Sequence, residues 1–194
     1  MKKTIALILA FVMAVSLCAC AKGEQNIEFK AGTYEDGVYT NESLGIGFRL
    51  PGGWHFRNAQ ELAEMNQQYK DTAITFDMFA ANDAILGNVS LNVEKMGKET
   101  LDGINLGTKL AEDALGIGTQ LEEAGYTDFD YQIGMASVSG EMLNALYSTA
   151  KIEDQPMYQV AFQTKRGDYL VTATITTFFQ DTRQDLLSQF FLVK

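Results

Sequence analysis

The sequence predicts one α+β domain, an antiparallel β-sheet of about six to eight strands flanked by helices. Three observations carry that prediction. Four strand-like runs in the second half, 129–138, 141–152, 157–165 and 168–178, are joined by turns short enough to force antiparallel neighbours. In the run 86–96, Val89, Leu91 and Val93 alternate with Asn88, Ser90, Asn92 and Glu94, the period of a strand. Leu106, Leu110, Ala114, Ile117, Leu121 and Ala124 recur at steps of three and four, which is the apolar stripe of a helix ending at Gly125.

In chain order, Val38-Tyr39-Thr40 and the run 44–50 form a hairpin across Asn41-Glu42-Ser43. Leu44, Ile46, Phe48 and Leu50 share one face of the second run, Gly45, Gly47 and Arg49 the other, and Pro51-Gly52-Gly53 stops it. Asn58 and Glu61, three residues apart, make a capping box that opens a helix over 58–69, with Leu62, Met65 and Tyr69 on one face. Strands follow over 72–80 and 86–96, and the polar half of the second reads as a solvated face. Gly107, Gly116 and Gly118 weaken the long helix, each by up to about 1 kcal/mol relative to alanine. The turns of the final meander are Ser139-Gly140, the stretch 153–156 and the stretch 165–168. Asp181 with Gln184 opens a last helix, whose Leu186, Leu187, Phe190 and Phe191 form an apolar stripe that docks on the sheet.

Composition places the chain among ordinary globular proteins: 194 residues, 46% hydrophobic, 21% charged, two prolines. Net charge is −10, and no basic block exists to track a phosphate backbone, so nucleic acid is excluded as a partner. At the N-terminus, Met1-Lys2-Lys3-Thr4 precedes a thirteen-residue apolar run, Ile5–Leu17, ending at small residues. That is the anatomy of an export signal, and a helix of that length rises only about 20 Å against a hydrocarbon slab of about 30 Å. The chain therefore divides into a signal over 1–19, a polar tether over 20–36 and a globular domain over 37–194.

Leu17-Cys18-Ala19-Cys20 resembles the lipobox of bacterial lipoproteins, with an aliphatic residue at −3 and a small residue at −1 from the cysteine. Cys18 does not fit, because Leu17 would stand at its −1 place. The resemblance implies cleavage between Ala19 and Cys20, a thioether-linked diacylglycerol on Cys20, and a domain held on the extracytoplasmic face of the cell membrane. It leaves no free thiol for disulfide, nucleophilic or redox chemistry. The acidity of the domain, a side-chain net of about −12 once Lys2 and Lys3 are removed, would hold it off an anionic bilayer. The pattern Phe48-x-Leu50-Pro51-x-x-Trp54, closing a hairpin and leading into a helix, resembles the start of the PsbP/Mog1-like α/β/α sandwich domains. Members of that fold differ in role, so it implies an architecture and no activity.

Few residues invite chemistry. His55 is the lone histidine, which removes two- and three-histidine zinc sites, and no G-x-S-x-G accompanies it; it reads as a solvent-facing residue beside Trp54. Gly45-Ile46-Gly47 and Gly116-Ile117-Gly118 lack the third glycine of a dinucleotide fingerprint. Glu112-Asp113, Glu122-Glu123 and Asp128/Asp130 match no EF-hand spacing. No catalytic residue, metal or cofactor is predicted. The candidate binding surface is Trp54 with Tyr131, Tyr147, Tyr158 and Tyr169, four tyrosines from successive strands; on one uncovered face they would form a carbohydrate or peptide platform, and otherwise they are core. The expected role is a non-catalytic binding or accessory module for an envelope protein or polymer. The alternative, a carboxylate-dependent envelope hydrolase, requires two acids facing each other in a concave site.

Overall fold

The computed structural model describes residues 29–193; Ala19, Cys20 and the signal lie outside that range. Two antiparallel sheets form the frame. The larger runs in the order β4 (His55–Phe56), β5 (Ile74–Asn82), β6 (Gly87–Lys95), β10 (Tyr169–Phe178), β9 (Gln155–Arg166), β8 (Glu141–Ile152), β7 (Thr127–Val138). The smaller is β1 (Thr33–Glu35), β2 (Val38–Asn41), β3 (Ile46–Arg49), β11 (Phe190–Leu192). The helices are α1 (Ala59–Gln68), α2 (Lys98–Gly103), α3 (Leu106–Glu123) and α4 (Arg183–Leu187). The architecture is the predicted sheet-dominated α+β class, and no helix among the described residues is long and apolar enough to cross a membrane.

Local chemistry sets these boundaries. Asn58 Oδ1 accepts from the Gln60 and Glu61 amides at 2.9 and 3.0 Å while the Glu61 carboxylate accepts from the Asn58 amide at 2.8 Å, completing the capping box. Asn105 caps α3, and Gly125 at φ +88 ends it with a conformation that a side chain would resist. Ser139-Gly140 and Glu153-Asp154 are two-residue turns with positive φ at both positions, which suits the twist of the hairpins they join.

The large sheet is covered on both faces. Against one face lie the small sheet and α4, so that Tyr39, Ile46, Phe48, Leu186 and Phe190 pack on Leu91, Val160, Phe162, Ala173 and Ile175. On the other face, the Leu110, Ala114, Ile117 and Leu121 stripe of α3 packs on Leu146, Ala150, Met157 and Phe178. There too α1 packs through Leu62 on Ile74, Phe76 and Phe79 of β5.

Three expectations change. The polar tether assigned to 20–36 ends earlier, because Thr33–Glu35 pair with β2. The polar face of β6 is not solvated: Asn88, Ser90 and Asn92 are only 4–5% exposed, because it looks into the layer formed by α1 and α3. The last helix stops at Leu187, and Phe190 and Phe191 belong to β11, which supplies the partner that β3 lacks. Phe190 turns into the core, while Phe191 lies along Gly47 with the Arg49 guanidinium 4.1 Å from its ring centroid.

Candidate functional site

Between α1 and α3 the sheet presents a band of polar side chains. Register sets Asn92, Thr172 and Gln163 side by side across β6, β10 and β9, with Ser90 and Thr174 in the next row and Asn88, Thr176, Gln159 and Ser148 beyond. From above, α3 lowers Lys109 and Asp113, one turn apart and paired at 3.0 Å. Together with Glu94, Ile74 and Leu170 these residues border a small polar cleft of about 20 Å³, room for a water-sized group.

Hydrogen bonding fixes the polarity of that cleft. Gln163 Nε2 donates to Asp113 Oδ2 at 3.2 Å, and because a carboxylate only accepts, the orientation of the amide is settled. Gln163 Oε1 is therefore the free end, buried and without a hydrogen-bond partner, as is Asn92 Oδ1. Thr174 Oγ1, Gln159 Oε1 and Ser148 Oγ, in the rows behind, are also unpartnered. Surplus acceptors on a half-enclosed floor suit a molecule that brings donors, such as hydroxyls or amide N–H groups. Two carboxylates, Glu94 and Asp113, border the same space.

The opposite face of the sheet holds a second polar cluster of a different kind. A bulge in β5 between Phe76 and Met78 places Asp77 there, 5% exposed. Its carboxylate accepts from the Tyr39 hydroxyl, from Asn41 Nδ2 at 2.6 Å and from the Gly32 amide at 3.0 Å, while the Tyr34 hydroxyl donates to the Asp77 carbonyl at 2.7 Å. Burial, reinforced by the Asp77 charge, raises the pKa of both tyrosines well above the ordinary phenol value. This cluster straps residues 32–41 to the large sheet.

The tyrosines do not form one platform. Tyr131 points to the α3 side, where its ring stacks on Phe129 at 6.0 Å, whereas Tyr147, Tyr158 and Tyr169 share the other face. Tyr169 is buried under Phe29 at the far end of β10. Only Tyr147 and Tyr158 come together, around Arg183, whose guanidinium carbon lies 5.6 and 5.5 Å from their ring centroids. That arginine donates to the Ser148 and Gln159 carbonyls and pairs with Asp181 at 2.7 Å, holding the Asp181 carboxyl below the usual carboxylate range and pinning α4 to the sheet. Trp54 is half-buried at another corner, beside Gly87 at the start of β6. His55 lies nearby with Nε2 3.9 Å from Asp83, which Arg57 also approaches at 3.8 Å. Asn92, Thr172, Gln163, Lys109 and Asp113 were not singled out by sequence. The alternating polar residues Asn88, Ser90 and Asn92 of β6 and Thr172, Thr174 and Thr176 of β10, with Gln159 and Gln163 four apart on β9, are the signal that marks them once the strand pairing is known.

Fold and site together define a two-sheet α+β protein with a small polar cleft under α3, the longest helix among the described residues. No protein-family model matches the chain, and no curated protein does. Among solved structures it is similar to LpqN of Mycobacterium tuberculosis, described as involved in cell envelope biogenesis. The likeness has 9% sequence identity, covers 77% of this chain and 83% of that one, and reaches a TM-score of 0.44, too low to carry an argument about function.

Proposed function

We propose that this protein is a lipid-anchored, extracytoplasmic binding or accessory module of the cell envelope, whose small cleft under α3 receives a hydroxyl or amide N–H group of a neutral molecule bound over it. One observation carries the ligand class: Gln163 Oε1 and Asn92 Oδ1 are buried without partners on the cleft floor. An unsatisfied buried acceptor costs about 1–3 kcal/mol, which donors on a ligand or on bound water recover. The export-signal anatomy and the lipobox pattern ending at Cys20 support the location. The Phe48-x-Leu50-Pro51-x-x-Trp54 pattern supports a PsbP/Mog1-like domain and adds no activity.

Thermal unfolding of the full-length protein against neutral sugars, amino sugars and cell-wall fragments tests the cleft. A ligand at a hundred times its Kd adds about 2.7 kcal/mol and raises Tm by about 5–10 °C. The shift should disappear in Gln163→Leu; a ligand whose shift survives that substitution binds elsewhere, and a library giving no shift overturns the reading. For the anchor, Cys20→Ser should abolish fatty-acid labelling and release the protein from membranes, while Cys18→Ser should do neither.

Glu94 and Asp113 on one cleft favour a second reading, a carboxylate-dependent hydrolase. Lys109 and Gln163 both hold Asp113 in place at the cleft. Release of product from glycosidic envelope polymers, lost in both Glu94→Gln and Asp113→Asn, would establish it; a protein that binds such polymers and leaves them intact removes it.

A further inference from the structure

The two edges of the large sheet are guarded unequally. At one edge β4 is only two residues long, too short to template another strand. At the other, β7 runs for twelve residues and, among the described strands, pairs with β8 alone. A bulge between Thr127 and Asp130 and two aspartates protect its start, but from Tyr131 to Val138 the register is unbroken and neither a charge nor a proline occurs. The two-residue turn Ser139-Gly140 makes Val138 and Glu141 a hydrogen-bonded pair, so by alternation the amides and carbonyls of Tyr131, Ile133, Met135 and Ser137 point away from β8. Of these, the Met135 carbonyl accepts from the hydroxyl of Tyr147, whose ring lies over Gly134.

The side chains beside this backbone are apolar. Tyr131, Ile133 and Met135 share the α3 face of β7 with Met142 of β8, and Tyr131, Met135 and Met142 are exposed, Met142 by 58%. α3 runs alongside: a Cβ on Gly118 would strike the Phe129 ring, one on Gly107 would touch Asn144, and Leu115, one turn before Gly118, is 65% exposed. Charge around the strip has one sign. On α3, β7 and β8 the only bases are Lys109 and Lys151, paired with Asp113 at 3.0 Å and Asp128 at 2.8 Å. Glu112, Glu122, Glu123, Asp130 and Glu141 are left with no counter-charge on those elements.

We propose that the β7 edge receives an extended segment of a partner protein as an added strand, with apolar side chains at alternate positions and lysine or arginine at its ends. The outward groups of Tyr131, Ile133, Met135 and Ser137 supply the main-chain hydrogen bonds. Alternate apolar side chains of the segment continue the row of Tyr131, Ile133 and Met135 beside α3, and its basic ends meet Glu122 and Asp130 at one end of β7 and Glu141 at the other. A second copy of this chain would bring the same uncompensated carboxylates to the edge, so charge selects a basic partner over self-pairing. The edge lies on the opposite flank of α3 from the cleft lined by Lys109 and Asp113 and is a separate surface.

The test is the fluorescence anisotropy of a labelled synthetic peptide, Lys-Val-Thr-Val-Thr-Val-Lys, titrated with the full-length protein in a neutral detergent. The peptide should bind saturably with a Kd below about 1 mM, and the same peptide with glutamate at both ends should bind at least about ten-fold more weakly. Met135→Pro removes an outward amide without touching the β8 ladder, so it should shift Tm by less than about 4 °C and weaken the lysine peptide at least about ten-fold. Met135→Lys keeps the amide and sets a charge in the apolar row; it should give the same loss and serves where the proline variant does not fold. No saturable binding, equal binding of the two peptides, or binding undiminished in the Met135 variants overturns the proposal. A dimer seen by sedimentation that Met135→Pro abolishes assigns the edge to a second copy and also overturns it.

Discussion

The two polar clusters buried on opposite faces of the large sheet are completed in opposite ways. On the small-sheet side, the Asp77 carboxylate accepts from the Tyr39 hydroxyl, the Asn41 amide and the Gly32 N–H, so that every polar group of the cluster has a partner. On the helical side, Asn92 and Gln163 are as deeply buried, yet their oxygens have no partner. A saturated network in low dielectric fixes structure, whereas an unsaturated one persists where something outside the fold completes it. The first cluster is thus a strap for the N-terminal segment, and the second is where a ligand has something to gain.

The largest effect that would test this contrast is the loss of the strap. Asp77→Ala leaves the Tyr39 hydroxyl and the Gly32 N–H without their acceptor and the Asn41 amide with only the Lys30 carbonyl, and should cost about 3–4 kcal/mol, read as a fall in the urea midpoint with unchanged slope. Asp77→Asn, which retains one acceptor, should cost about half of that. Alkaline pH should loosen the strap at Tyr39 and, on the helical side, the packing of Tyr126. Burial with the Asp77 charge raises the Tyr39 hydroxyl pKa, and burial pushes Tyr126 up to about 12. A raised folded value means that this stability is fully present below the unfolded phenol pKa near 10 and is lost as pH climbs towards the folded values. For Tyr39 alone the slope should be about 1.4 kcal/mol per pH unit above pH 10, visible as tyrosinate absorbance appearing together with unfolding. Gly32→Ala is next, since a Cβ there would land on the Tyr39 ring and cost about 1–3 kcal/mol. Smallest of all, Gln163→Leu on the helical side should change stability by less than about 1 kcal/mol in either direction. A Gln163→Leu penalty as large as that of Asp77→Ala would erase the contrast and make both clusters structural.

How far the sequence discloses this arrangement depends on the range of the interactions. The capping box of Asn58 and Glu61, the α3 stripe and the meander turns are local, and each appears at its predicted place. β1 was invisible because its strap is Asp77, more than forty residues away, and nothing in Thr33-Tyr34-Glu35 announces that partner. Leu186, Leu187, Phe190 and Phe191 fit a helical stripe as well as the start of a strand, and the free edge of β3 decides between them. For β6 the period showed correctly which side chains share a face, but not that α1 and α3 cover the polar one. The tyrosines failed for a related reason: parity along each strand is readable, whereas register between strands, which puts Tyr131 across the sheet from the other three, is not.

The pairing of β11 with β3 joins segments from the two ends of the described chain, with Phe190 opposite Phe48. Synthesis delivers β3 well before β11, so Ile46 and Phe48 wait with one side of their sheet open until β11 has emerged. Contacts this distant in sequence are also the slowest to form. Completion of the small sheet is thereby timed to the arrival of β11, so the layer that β3 begins stays open while the whole of the large sheet and its helices are being made.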